Sequence, residues 1–340
     1  MGNNRLLEIK NLKTSFRVKD NFYAAVDNVS LNINENEVLG IVGESGSGKS
    51  ALAFSIMGLH PKMNSKIEGE INFQNLNLAE VSDKKMQKIR GNEMGMIFQD
   101  PMSALNPLLK IGDQIEENLL LHTKLSKAER EKKTISLLNQ VGIPRPEVVY
   151  KQFPHELSGG MRQRVVIAIA IACDPTFLIA DEPTTALDVT IQLQILNLIR
   201  KLKNELNTGV ILITHDLGVV AEMADRVAVM YAGQIVEIAP VLELFKNPKH
   251  PYTRSLLQSN PTQNQAKSKL HVIQGVVPSL VNLPREGCRF KERIPWISDS
   301  KHEENPELHE VAPGHYVRCS CYKEFYFPTK VKEKVDNGIS

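Results

Sequence analysis

Eight consecutive residues, Gly43-Glu44-Ser45-Gly46-Ser47-Gly48-Lys49-Ser50, have the types and spacing needed to hold a phosphate. The glycines let successive backbone N–H groups curl inward around an anion, and a helix starting at the end of the run adds its positive pole. Lys49 supplies a point charge for the outer phosphates, and the Ser50 hydroxyl is placed to ligate Mg²⁺. A glycine-rich turn with a surface lysine is the plainer reading. The flanks argue against it: Val38–Val42 is short and apolar like a buried strand, and Ala51–Met57 reads as a helix.

A second group of reactive residues lies further on. Asp181 and Glu182 end the apolar run Phe177-Leu178-Ile179-Ala180. Asp181 can hold a metal ion, directly or through water, and Glu182 can orient and deprotonate an attacking water. Read alone, the pair would cap the next helix; a phosphate loop upstream gives it a chemical use. Leu157-Ser158-Gly159-Gly160-Met161 precedes an almost wholly apolar helix and offers a second anion site. Two phosphate cradles in one chain imply a site shared between two chains. Gln99 closes another strand with an amide able to contact metal and water. His215 ends the next parallel strand, on the edge where such sheets bind ligands.

The elements that must position these residues follow from periodicity. Leu7–Lys10 and Val29–Ile33 alternate apolar with polar, as half-buried strands do, and Phe16 falls in a loop-prone stretch between them. Ile67–Phe73 and Gly95–Phe98 are further strands. From about 101 to 175 polar helical stretches such as Lys127–Val141 take over, an α-helical insertion in an α/β core. The apolar helix Met161–Cys173 should be buried. Helix 189–206, with Ile191, Ile195, Leu198, Leu202 and Leu206 on one stripe, joins Phe177–Ala180 to Val210–Ile213. That βαβ unit implies a parallel sheet. A hairpin, 226–231 against 234–238, closes the core, and Thr262–Lys269 reads as a linker to a mostly irregular appendage.

Composition narrows the class. The net charge of +2 advertises no polyanionic partner, so nucleic acid is not expected. No apolar run reaches the ~18 residues of a membrane span, and Met1–Arg5 leads into no signal-peptide core, so a cytosolic chain is expected. There, Cys173, Cys288, Cys319 and Cys321 read as free or metal-linked thiols.

In order and spacing, Gly43–Ser50, Gln99, Leu157–Met161, Phe177–Glu182, Ala186-Leu187-Asp188 and His215 resemble the ATP-binding cassette (ABC) ATPases over residues 6–258. The resemblance implies a P-loop α/β core with an antiparallel β subdomain and an α-helical subdomain. It places the ATP-binding domain at 1–260, with its helical part at about 101–175, and a small irregular appendage at 261–340. It also implies a head-to-tail dimer with ATP and Mg²⁺ between the Gly43–Ser50 loop of one subunit and Leu157–Met161 of the other, and Asp188 contacting across the seam. Ser50, Gln99 and Asp181 would attend the metal. Glu182 would be the general base, His215 the γ-phosphate sensor, and Gln99 the link to a transmembrane partner. Phe16 matches the aromatic that stacks on adenine, with Tyr23 and Phe22 as alternatives.

A narrower resemblance is carried by Gln99–Pro107, Asn247–Thr253, and Val277–Leu280 leading to Gly287–Phe290. These look like the oligopeptide and dipeptide importer ATPases. Members of that group pair with a paralogous ATPase, two membrane permeases and an external peptide-binding protein, which places the chain on the cytoplasmic face of the membrane. Nickel importers share much of the pattern. Soluble, non-transport cassettes and a regulatory ATPase whose appendage senses a ligand are the other readings. In many peptide-importer ATPases four cysteines in the appendage ligate an iron–sulfur cluster. Here Cys288 and Cys319 match two of those positions, while Ile294 and a residue near Lys301 stand at the others. The expectation is an appendage without a cluster, packed around Trp296, Phe290 and Pro295 and contacting the partner ATPase. The alternative is a zinc site of Cys288, Cys319 and Cys321 completed by His302 or His315.

Overall fold

Alternating and continuous apolar runs sort into two sheets in the computed structural model, which describes residues 5–185, 187–259 and 275–328. Strands β1 (Arg5–Val18) and β2 (Asn21–Asn34) form a long antiparallel hairpin. Strand β3 (Val38–Val42) then delivers the chain to helix α1 (Lys49–Ile56). With β4 (Ser65–Phe73) and β5 (Leu76–Asn77) the first sheet is complete, in the order β2-β1-β4-β5.

Helix α2 (Asp83–Ile89) and strand β6 (Met94–Ile97) lead to the helical insertion. It comprises α3 (Pro101–Ala104), α4 (Ile111–His122), α5 (Lys127–Gln140), α6 (Pro146–Val149) and α7 (Gly159–Ala170). A capping box between Ser126 and Glu129 starts α5. Next come β7 (Phe177–Asp181), α8 (Val189–Leu206), β8 (Gly209–Ile213), α9 (Leu217–Met223), β9 (Arg226–Tyr231) and β10 (Gln234–Pro240). Helices α10 (Val241–Lys246) and α11 (Pro251–Gln258) and strands β11 (Leu308–Ala312) and β12 (His315–Arg318) complete the set.

The second sheet runs β11-β12-β10-β9-β3-β8-β7-β6, parallel from β9 to β6. Its central strands are buried on both faces, and side-chain alternation divides them between two cores. Leu39, Ile41, Phe177, Ile179, Ile211 and Ile213 pack toward the antiparallel sheet and α1. Leu178, Ala180, Val210 and Leu212 face the opposite side, where α7, α8 and the helical insertion cover them. Strand β3 lies between β8 and β9, so the loop after it opens at the C-terminal edge of the sheet.

Two expectations are corrected. Phe16 lies on β1, not in a loop, and pairs with Tyr23 across the hairpin. Lys19, at a φ of 55°, lets a two-residue turn close the hairpin tightly enough to carry pairing to Val18 and Asn21. The appendage is not irregular throughout. Hairpin β11–β12 adds to the edge of the main sheet through β10, and Phe290, Ile294, Ile297 and Phe325 extend its second core. Phe290 is buried as expected, but Pro295 is exposed and Trp296 only half-buried, so packing centres on Phe290, Ile294 and the Tyr231–Tyr252 pair. The linker reading at Thr262–Lys269 lies outside the described residues. Among those described, no helix is long and apolar enough to cross a membrane.

Candidate functional site

The loop after β3 is held open by backbone geometry that only glycine tolerates. Gly48 sits at φ 103°, where an added Cβ would lie 2.6 Å from the Ala25 carbonyl oxygen. Gly46, at φ 78°, has nothing within 4 Å of that position, so space remains on the side where a phosphate would rest. Lys49 folds back beneath the loop, donating from Nζ to the carbonyl oxygens of Gly43 (2.7 Å) and Glu44 (2.9 Å). Burial pushes its pKa down, opposed by the charges of Glu182, Asp181 and Glu44. Ser47 is buried, while Ser45 and Ser50 are exposed.

Asp181, at the end of β7, is buried, with the Ser50 hydroxyl close enough to favour its charged form. Its pKa is raised, chiefly by desolvation, and its Oδ1 has no hydrogen-bond partner. A buried, unsatisfied carboxylate oxygen beside a serine hydroxyl is a costly arrangement for an empty protein. It fits a divalent cation with hard oxygen ligands, as Mg²⁺ requires.

Glu182 turns the chain at a φ of 47°, a conformation few non-glycine residues adopt. Its N–H donates to the Ile213 carbonyl at 2.9 Å, which sets the side chain above β8. Its Oε2 accepts from Gln99 Nε2 (3.0 Å) and Thr185 Oγ1 (2.8 Å), with His215 Nδ1 at 3.3 Å. The structure thus joins Gln99, Glu182 and His215, each from a different strand end. Thr185 was not foreseen, because nothing in Pro183-Thr184-Thr185 marks a hydroxyl one turn beyond the carboxylate.

The remaining residues lie elsewhere. Ser158 caps α7, accepting from the Met161 N–H at 3.4 Å; Leu157 is buried, Met161 half-buried, and Gly159 and Gly160 partly open. A Cβ on Gly160 would meet Ile191 of α8 at 2.9 Å, so glycine permits close helix approach there. Asp188 caps α8 through the Ile191 N–H at 3.0 Å. Among the described residues, no hydrogen bond or ion pair joins 157–161 to the chain's own 43–50 loop. Phe16 is half-buried, edge-on to His60 at 4.8 Å, beyond the C-terminus of α1. Tyr23 is half-buried and Phe22 lies beneath Lys66.

Helix α11 and the appendage both reach the loop, which the sequence did not reveal. The Glu44 N–H donates to Tyr252 Oη at 2.7 Å, and the Glu44 carboxylate takes two contacts from Arg293, at 2.9 and 3.3 Å. Arg289 bonds the Ala232 carbonyl and pairs with Asp27. The contacts to Glu44 and Asp27 span more than 200 residues of sequence, which left no local signal for them. Tyr252 sits in a stretch that stood out, without an assignable role.

Comparison with known proteins gives the family. The family model for ABC transporter matches residues 26–185, and that for the oligopeptide/dipeptide transporter C-terminal region matches 236–299. The oligopeptide transport ATP-binding protein OppD of Lactococcus lactis subsp. cremoris (strain SK11) is 52% identical over 329 residues, spanning 96% of this chain and 97% of the relative. The oligopeptide transport ATP-binding protein AppD of Bacillus subtilis (strain 168) is 51% identical, spanning 94% and 97%. A solved dimer of the ATP-binding cassette MJ0796 in a post-hydrolysis state with ADP and Pi superposes with a TM-score of 0.63 at 32% identity, spanning 69% of this chain and 98% of that one. The chain belongs to the ABC transporter ATPases, in the branch that carries the oligopeptide/dipeptide transporter C-terminal region.

Proposed function

We propose that the protein is the ATP-hydrolysing subunit of a membrane importer for oligopeptides or dipeptides. The observation that carries the catalytic part is the Glu182 carboxylate, one residue past a buried Asp181 and held by Gln99, Thr185 and His215. Lys49 and the loop amides bind the phosphates of ATP. Asp181 and Ser50, with Gln99 nearby, would hold Mg²⁺, which when bound would supply charge neutralisation for the transferring phosphoryl group. Glu182 accepts the proton of the attacking water; Gln99 and Thr185 fix which oxygen faces it, and His215 reports on the γ-phosphate. An aromatic of the β1–β2 hairpin would stack on adenine, Phe16 first, with Tyr23 and Phe22 as alternatives.

The separation of Leu157–Met161 from the chain's own phosphate loop supports a site completed by a second cassette, with Asp188 near the seam. The relatives named as oligopeptide transport ATP-binding proteins favour peptide over nickel as cargo; the second cassette is a paralogous ATPase. A groove of about 730 Å³ between core and helical insertion, lined by Leu59, Met96, Phe98, Leu121 and His122, is suited to a permease segment. Met102, Leu108 and Leu109 are further exposed apolar side chains of the helical insertion. Docking there would hold the chain at the cytoplasmic face of the membrane.

The test is purification from detergent-solubilised membranes followed by reconstitution. Co-purification with two hydrophobic subunits and a second ATPase, and hydrolysis stimulated by peptide with its binding protein, is the expected result. A chain that remains soluble alone, or hydrolysis stimulated by nickel and not by peptide, would overturn it.

A further inference from the structure

Three separate segments of the appendage converge on one point. Cys288 follows a tight turn at Gly287, His302 ends a short 3-10 turn, and Cys319 and Cys321 follow β12. One potential ligand atom from each lies within 4.8 Å of the other three. All three cysteines are free and buried. Both ring nitrogens of His302 are shielded from solvent, and neither has a hydrogen-bond partner. Buried polar side-chain atoms nearly always have one, so an imidazole aimed at three thiols with nothing to bond lacks a component.

We propose that Cys288, His302, Cys319 and Cys321 bind one zinc ion in a closed tetrahedral Cys₃His site. Around a tetrahedral zinc, with Zn–S about 2.3 Å and Zn–N about 2.0–2.1 Å, neighbouring donor atoms stand roughly 3.5–4 Å apart. The observed cluster is of that compass, and its soft thiolates with one imidazole suit zinc over magnesium or calcium. An iron–sulfur cubane fits poorly. Its thiolates hold different irons at separate corners, so they stand farther apart, and it normally takes four of them. The remaining candidate positions cannot help: Ile294 is buried in the apolar core, and Lys301 is exposed and paired with Glu324 at 3.3 Å.

The scaffold around the four ligands is already tied together. The Gly287 N–H donates to the Glu304 carbonyl at 2.9 Å, and the Ser320 N–H donates to Glu303 Oε1 at 2.7 Å. A surface depression beside Cys288, His302 and Lys291 gives the ion a way in. His315, the other histidine considered, is engaged elsewhere, bonded to buried Glu237 at 2.7 Å. With four protein ligands the ion has no open position, so its part is structural. It fastens the segment carrying Arg289 and Arg293, and hence the contact with Glu44, to strand β12 of the main sheet.

The test is the metal content of the full-length chain, purified with reductant and without chelator or a histidine tag. One zinc per chain is expected, released in step with modification of the thiols. Cobalt(II) exchanged into the site should show thiolate charge-transfer and tetrahedral ligand-field bands. His302→Cys should keep one zinc. Cys321→Ser should weaken binding by more than the roughly 10–100-fold that losing an outer-shell partner costs. If a variant fails to fold, the metal count of the unaltered chain still decides. Stoichiometric iron with acid-labile sulfide, a disulfide among the three thiols, or no metal retained after adding zinc would each overturn the proposal.

Discussion

Replacing Arg293 with alanine should weaken the grip of the appendage on the phosphate loop by a calculable amount. The guanidinium makes two contacts with the Glu44 carboxylate, at 2.9 and 3.3 Å. A hydrogen bond to a charged group contributes about 1.5–3 kcal/mol, and the longer contact counts for less. The Glu44 side chain is 26% exposed, so the freed carboxylate would be partly rehydrated. A net coupling of about 1–2 kcal/mol follows. Arg293 also lies over the rings of Tyr231 and Phe290, at 5.7 and 5.6 Å, and losing those contacts adds about 0.5–1 kcal/mol each. A double-mutant cycle with Glu44→Gln, read by urea unfolding at constant m value, separates the ion pair from the stacking. Arg293→Lys should recover only part of the coupling, because an ammonium cannot span both carboxylate oxygens. A coupling below about 0.5 kcal/mol would refute the clamp.

Other expectations follow from the site. Lys49→Ala should abolish measurable ATP binding, checked by fluorescent-nucleotide titration, because the loop loses its one buried cation. Phe16→Ala should raise KM for ATP by the equivalent of about 1–3 kcal/mol with little change in kcat, since stacking holds ground and transition states alike; an unchanged KM would move the assignment to Tyr23 or Phe22. Asp181→Asn should stabilise the Mg²⁺- and nucleotide-free chain at neutral pH by about 1–2 kcal/mol while removing hydrolysis. The sign follows from a folded-state pKa raised by burial. Between the ordinary and raised values the native state binds more protons than the unfolded one, so stability falls as pH rises through that window. The advantage of Asp181→Asn should therefore be complete above the window and vanish below about pH 4; thermal melts across pH check it.

Much of the site was legible because its chemistry is local. The Gly43–Ser50 loop needs glycines at fixed spacing between a strand and a helix, and the structure supplies both flanks. Asp181, Gln99 and His215 end apolar runs, and parallel pairing brings such ends to one edge. What stayed hidden depends on distant segments. Nothing in the sequence near Glu44 announces Tyr252 or Arg293, and nothing near Glu182 marks Thr185. Cys288, His302 and Cys319 are far apart in sequence and form no compact zinc motif. Only the β11–β12 hairpin, which adds to the main sheet, brings them within reach of one another. Phe16 was misplaced because the stretch between Leu7–Lys10 and Val29–Ile33 read as loop, whereas the turn there takes only two residues.

The account rests on Glu182 taking the proton from water, and Glu182→Gln tests that most directly. The amide oxygen can still accept from Thr185, so the site should keep its shape. Multiple-turnover ATP hydrolysis by the assembled transporter should fall by about 10²–10⁴-fold. ATP binding should remain, and ATP should hold the two cassettes together. Near-normal turnover by Glu182→Gln in the same complex would contradict the central claim.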